Sequence, residues 1–478
     1  MEHEHGTGSP VPNVLASRYA SAAMVDVWRP EGRIRLEREL WIAVLRAQAE
    51  LGVSVPDGAI EAYEAVVDDV DLASIAARER VLRHDVKARI EEFCALAGFE
   101  VIHRGMTSRD VTENVEQLQV RRGLELVRDR IVAALVLIAE RAVEHRDTVV
   151  VGRSHNMPAQ PTTFGKRLTN VGQELMSAYE RIESLLERQP LRGLKGPVGT
   201  QADLVALLGD ADKVETLEAA IAEHLGFERR LDAVGQVYPR SLDLEVVGSL
   251  VQAASAPASF ANTVRLMAGD ELITEGFAAG QVGSSAMPHK MNPRSCERIV
   301  GFKHILDGHF TMVSAISGGQ WFEGDVSCSV VRRVALPDAF LTIDGLFETF
   351  LTVLSEFAVF PAVIERELER HLPFLATTHV LTAAVAAGVG REVAHEVVKE
   401  HSLAVAVAQR EGRDDDLFAR LAADPRLPLG EDELAGILRS ARHLTGTAGD
   451  QVDRFVERVA IVGAQHPAAS AYRPQAIL

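Results

Sequence analysis

Apolar residues recur along this chain at the three- and four-residue spacing of helices, not the two-residue spacing of strands. Leu124, Val127, Ile131, Leu135, Ile138 and Ala142 form one stripe, which predicts a long helix with a single apolar face. Leu336, Phe340, Ile343, Phe347, Phe350, Leu354 and Phe357 form a second stripe, sustained over about six turns. Val246, Val247, Leu250, Val251 and Ala254 mark a third long helix, opened by Gln236–Arg240 and bent at Pro257. Helical segments are also expected at Arg35–Leu51, at Asp71–Ala95 and up to about Glu187. Alternation with period two is scarce. The expected fold is all-α, a bundle of long helices whose apolar faces also suit burial against neighbouring subunits.

The breaks between these stripes suggest an organisation. Residues 1–12 read as a flexible tail, 13–111 as an N-terminal helical domain, 112–364 as a central long-helix domain, and 365–478 as a smaller helical domain. Gly152–Thr163 is rich in turn residues and is expected to be a loop. Arg192–Thr200 is glycine-rich, but it lacks both the Walker lysine–hydroxyl pair and GxGxxG, which excludes a triphosphate cradle of either kind. Pro288 and Pro293 keep Gly280–Pro293 out of a helix interior.

Composition narrows the partners. The chain has 478 residues, 47% hydrophobic and 25% charged, the profile of a soluble globular protein too long for one simple core. A net charge of −18 disfavours nucleic acid and anionic membrane as main partners, while leaving room for an anionic small molecule at a local basic cluster. Cys94, Cys296 and Cys328 form no CxxC, so neither a disulfide framework nor a zinc ribbon is expected, and a reducing cytoplasm fits. The first residues lack the basic and apolar regions of a signal peptide. The longest apolar run, Ile131–Ala139, is too short to span a bilayer.

The densest chemistry lies in Gly280–Pro293. Gly283 permits a sharp turn, Ser284 and Ser285 offer hydroxyls, and Lys290 and Asn292 offer a cation and an amide. A serine serves as a base only where its alkoxide is stabilised, which Lys290 and loop N–H groups could do. No GxSxG elbow is present, which disfavours a hydrolase triad. Proton removal beside a carboxylate makes a doubly charged aci-carboxylate that needs such donors. The leaving group then needs a proton, and His84, His103 and His155 are candidates as well as ordinary structural histidines. Thr107-Ser108 reads as a helix N-cap, which is also a seat for an anion. Arg18-Tyr19 fits equally a surface arginine beside a packed tyrosine. Arg83-His84-Asp85 on a helix would point in different directions, as a solvated face.

Gly283–Pro293 resembles the signature loop of the fumarase/aspartase superfamily. Gly105–Asp110 and Gly152-Arg153-Ser154-His155 match its other two shared segments in the same order. Arg18-Tyr19, Arg83-His84-Asp85, Ala159–Thr163, Gln236–Arg240 and Leu336-Pro337-Asp338 are most similar to the adenylosuccinate lyase family within it. The resemblance covers about residues 13–478. It implies a three-domain all-α fold whose long-helix bundle forms the core of a homotetramer, with each site shared by three subunits. It also implies β-elimination of fumarate from adenylosuccinate, giving AMP, and from SAICAR, giving AICAR, with neither metal nor organic cofactor.

The resemblance further implies roles. His155 would be the general acid, oriented by Glu297, and Ser284 the general base on a loop that closes over substrate, with Ser285 as the alternative. His84 and His103 would assist near the phosphate and the leaving group. Thr107, Ser108, Lys290 and Asn292 would hold the succinyl carboxylates. Arg18, Tyr19, Arg83, Asp85, Gln236, Arg298, Ser329 and Arg333 would hold the nucleotide and its phosphate. The chain departs from the pattern at Gly324, where an arginine is usual, at Ser154 for threonine, at Asn156 for glycine, and at Cys328 for another polar residue. Two other readings are another reaction of the superfamily and a structural protein that has lost activity. Arg18-Tyr19 and Arg83-His84-Asp85 argue against the first, and the joint presence of His155, Ser284, Lys290 and Glu297 against the second.

Overall fold

The computed structural model describes residues 12–276, 286–287 and 289–474. Short N-terminal helices lead into α1 (Pro30–Glu50), α2 (Leu72–Leu82) and α3 (Asp85–Ala97). The expected single segment Asp71–Ala95 is therefore two helices. Arg83 adopts a left-handed φ of 53°, which ends α2, and His84 caps α3.

Helix α4 (Ser108–Glu144) carries the first predicted stripe, and every residue of that stripe is buried. Its 37 residues make it about 55 Å long. The chain then forms an antiparallel hairpin of β1 (Val149–Ser154) and β2 (Met157–Thr163), not the expected loop. Pro158, Pro161 and Gly152 hide it, since these residues break strands in general; here Pro158 lies next to the turn, Gly152 at the register shift, and Pro161 opposite Val151 in a two-stranded ribbon whose strands are both edges. His155 and Asn156 have φ of 51° and 61°, and form the tight two-residue turn that suits a hairpin. Helix α5 (Phe164–Arg188) returns along α4, and Arg121 in the N-terminal half of α4 donates to the Leu186 carbonyl at 3.0 Å.

The predicted third helix is interrupted at Ala254, giving α6 (Ser241–Ala253) and α7 (Ser255–Gly269). Pro257 has no N–H for the Ala253 carbonyl, which accounts for the break at that point. Helix α8 (Arg294–Ile316) was not singled out by periodicity, yet Cys296, Ile299, Phe302, Leu306, His309 and Val313 form its buried stripe. It runs antiparallel to α9 (Ser327–Glu356), which holds the phenylalanine-rich stripe. Beyond it, α10 (Pro361–Leu375) and α11 (Thr377–Ala386) begin a smaller helical body, and α12 (Ala448–Gln465) comes back to the bundle.

Three main apolar clusters result. The largest joins α4, α5, α6, α7, α8, α9 and α12. A second joins α1, α3 and the start of α4 to residues 191–227, and a third lies within residues 376–441. Among the described residues, no helix is long and apolar enough to cross a membrane.

Candidate active site

The site residues proposed from sequence fall into three groups, each fixed by a different part of the fold. The first lies where α2, α3, α4 and α9 meet. The backbone N–H of Lys87 donates to His84 Nδ1 at 3.3 Å, so His84 acts as the N-cap of α3. In the neutral ring the proton is then on Nε2, which lies 3.5 Å from Ser108 Oγ at the start of α4. Arg83-His84-Asp85 is thus a helix break and not a solvated helix face.

Asp85 stands 3.4 Å from Arg89 and 3.6 Å from Arg333 on α9. Burial pushes its carboxyl up, but Arg89, the Val86 N–H, Arg33 and Arg333 outweigh it and hold it below the usual range. Behind it, fully buried Glu37 accepts from Arg33 at 3.3 Å and forms an ion pair with Arg89 at 2.5 Å. Asp85 thereby connects the exposed Arg333 to a dry ion network.

Thr107 precedes α4, and its N–H donates to Asp110 Oδ2 at 2.8 Å. Asp110 is fully buried. Its Oδ1 accepts from Arg192 Nη1 at 2.6 Å and from the N–H groups of Lys195 and Gly196 at 2.8 and 3.0 Å. The glycine-rich loop therefore aims its N–H groups at a protein carboxylate. His103, with φ of 62°, accepts from Trp41 Nε1 at 3.1 Å. Burial pushes its pKa down to about 4 despite Asp110 nearby, so it is a neutral hydrogen-bonding group at neutral pH.

Gln236, Ser329 and Arg333 complete this group. The Gln236 N–H donates to the Glu323 carbonyl at 2.5 Å. Gly324 packs so closely that a Cβ there would lie 2.8 Å from Gln236 Cβ. The arginine expected here from the resemblance could not enter without moving Gln236. Cys328 is buried, and its thiol donates to the Asp325 carbonyl at 3.5 Å. It is a packed group.

The second group lies at the start of α8. The Arg298 guanidinium sits 5.4 Å from the Tyr19 ring centroid, within cation–π range. The Tyr19 ring meets Phe302 edge-on at 5.1 Å, and Gly345 on α9 has no Cβ to block the Tyr19 backbone. Arg18, Lys290 and Glu297 are exposed, and Asn292 is half-buried. Glu275 accepts from the N–H groups of Ser295 and Cys296, both at 2.9 Å, and so caps α8. Ser284 and Ser285 lie outside the described residues.

The third group is His155 alone, exposed at the hairpin tip. Among the described residues no hydrogen bond or ion pair links it to Glu297. The first group stands at the N-terminus of α4 and the hairpin follows its C-terminus, about 55 Å away. A six-residue arm reaches back about 20 Å, so one chain cannot bring His155 to His84. Arg298 and Arg333 are also apart. Tyr19 places Arg298 level with Gly345, twelve residues along α9 from Arg333, or about 18 Å.

Sequence reasoning missed Trp41 and Glu275. Neither belongs to a local motif, and their partners lie 62 and 20 or more positions away. Among the described residues no cluster of His, Cys, Asp and Glu is arranged to hold a metal ion.

Comparison with known proteins adds the chemistry. A family profile described as lyase matches residues 21–304, and one described as adenylosuccinate lyase C-terminus matches residues 373–455. The chain is 37% identical to the adenylosuccinate lyase of Saccharomyces cerevisiae, with 93% of each chain covered. It is 34% identical to that of Schizosaccharomyces pombe, again with 93% of each covered. Among solved structures it is similar to 3-carboxy-cis,cis-muconate lactonizing enzyme from Pseudomonas putida, with a TM-score of 0.81 at 23% identity, covering 94% of this chain and 99% of that one. A fumarate lyase from Mesorhizobium sp. BNC1 gives 0.78 at 24%, covering 92% and 98%. At these identities the two structures establish the shared fold.

Proposed function

This chain belongs to the adenylosuccinate lyase family of carbon–nitrogen lyases, and from that premise we propose that it releases fumarate from adenylosuccinate and from SAICAR, at sites shared between subunits of a homotetramer. The observation that carries the shared site is the separation of His155 from His84 along α4. Both belong to segments that match the family, and one chain holds them too far apart for one small molecule.

The chemistry follows from the groups available. Ser284 takes a proton from the succinyl carbon next to the distal carboxylate, and the electron pair passes into that carboxylate. Lys290 and Asn292 stabilise the resulting aci-carboxylate. The pair then returns to form the double bond of fumarate, and the carbon–nitrogen bond breaks. His155, oriented by Glu297 of another subunit, gives its proton to the departing nitrogen. His84 offers its Nε2–H beside Ser108, and His103 serves as a neutral donor. Arg333, held by Asp85, and Arg18, Tyr19, Arg83, Gln236, Arg298 and Ser329 hold the nucleotide, while Thr107 and Ser108 at the start of α4 take a carboxylate. The reaction moves two protons and calls for no cofactor. A cytoplasmic location suits its nucleotide substrates.

Purified protein should release fumarate from adenylosuccinate and SAICAR and not from argininosuccinate. Ser284→Ala should lower turnover by about 10²–10⁴-fold. Near-normal turnover in Ser284→Ala with loss in Ser285→Ala would move the base by one residue. Fumarate from argininosuccinate alone would refute the substrate assignment.

A further inference from the structure

The reading of His155 as the proton donor raises a physical problem, because its support is slight. A two-stranded ribbon is marginally stable by itself. His155 itself is a non-glycine residue in the left-handed region, which disfavours it. Yet a proton donor must lie within hydrogen-bond reach of the leaving atom, and an error of about 1 Å can cost about a hundredfold in rate. Something outside the ribbon has to hold its tip.

Arg153 reaches from the tip to the helical body. Its Nη1 donates to the Asn156 carbonyl at 3.0 Å, within the turn itself. Its Nη2 donates to Glu367 on α10, and stands 3.8 Å from Asp270 just beyond α7. Glu367 is only 13% exposed and Arg153 26%, so the pair is drier than an ordinary surface ion pair and correspondingly stronger. The base of the ribbon has separate straps. Arg167 donates to the Val151 carbonyl at 2.8 Å, and Gln160 to Thr378 Oγ1 on α11 at 3.1 Å. These hold the ribbon below its tip, whereas Arg153 acts on the carbonyl of Asn156, the residue after His155.

We propose that Arg153 and Glu367 are a positioning pair that sets the attitude of the hairpin tip, so that α10 governs where His155 delivers its proton. Neither side chain needs to touch substrate. The pair also explains how asparagine is accommodated at position 156, since the guanidinium holds the carbonyl that the left-handed turn presents. Among the described residues, the other charged and titratable groups around Arg153 and Glu367 are Asp270, Arg167, Arg370 and His371. None of these bonds to the turn.

The test is kinetic and uses the intact protein. Glu367→Gln should lower kcat by about tenfold to a hundredfold, with KM for adenylosuccinate unchanged and only a small fall in the melting temperature. Arg153→Met should do the same, and the double variant should be no worse than Arg153→Met. In a His155→Ala background, Glu367→Gln should have no further effect on the residual rate, because the pair acts through His155. An unchanged kcat in Glu367→Gln, or an equal further loss in the His155→Ala background, would overturn the proposal. Full turnover in His155→Ala would instead overturn the reading of His155 as the acid, and the pair's role with it.

Discussion

The indole N–H of Trp41 donates to Nδ1 of His103 at 3.1 Å. That bond requires Nδ1 to be unprotonated, so the neutral ring keeps its proton on Nε2. Burial holds the folded pKa down to about 4, below the value of about 6.5 in an unfolded chain. As pH falls, the unfolded chain therefore takes up this proton first. The contribution of His103 to stability is complete above about pH 6.5, declines as pH falls towards 4, and is constant below that. It amounts to about 3 kcal/mol. His103→Gln, whose amide oxygen can still accept from Trp41, should lose that part of the pH dependence. Urea denaturation of both proteins at pH 7 and pH 4.5 measures it, and equal pH dependence would contradict the assignment.

Arg332 and Arg333 are neighbours with opposite duties. Arg332 is 2% exposed and donates to Asp243 and Glu116, both at 2.7 Å, and to the Tyr238 hydroxyl. Arg333 has a side chain 59% exposed and, among the described residues, pairs with Asp85 at 3.6 Å. Arg332→Met removes the direct cation partner of buried Asp243 and of Glu116, leaving Asp243 with the Tyr238 hydroxyl and Glu116 with the more distant Arg33 and Arg240, and should cost roughly 3 kcal/mol of stability. Arg333→Met should change stability by less than about 0.5 kcal/mol while raising KM for the nucleotide several-fold. Denaturation and steady-state kinetics on the two variants separate these outcomes.

Gly324 is one of four positions where the sequence resemblance led to the expectation of a different residue. Restoring the usual arginine would place a Cβ 2.8 Å from Gln236 Cβ, and overpacking of that kind costs about 1–3 kcal/mol. Gly324→Arg should therefore raise KM and lower the melting temperature. An unchanged or lower KM would show that the loop accommodates the side chain and gains a substrate contact.

The chain disclosed some of this by pattern and withheld the rest for physical reasons. The stripes of α4 and α9 were legible because long helices buried on one face repeat their apolar positions many times. The capped start of α4 at Thr107-Ser108 was legible because capping is local. The break at Arg83 was not, because neither glycine nor proline announces it. The hairpin was missed because its prolines and exposed tip erase the alternation of a strand. Trp41, Glu275 and Glu367 act across the chain on His103, the start of α8 and the hairpin, and no spacing rule reports such partners. Ser284 came from resemblance to a family, and its position falls outside the described residues.

The separation of His84 from His155 along α4 gives the most direct test of the account. His84→Ala and His155→Ala should each abolish most fumarate release from adenylosuccinate. If the two residues serve one site from different chains, co-refolding the two inactive proteins in equal amounts should restore about a quarter of the wild-type sites, by random mixing of subunits in a symmetric oligomer. A mixture as inactive as its parents would contradict a site assembled between chains.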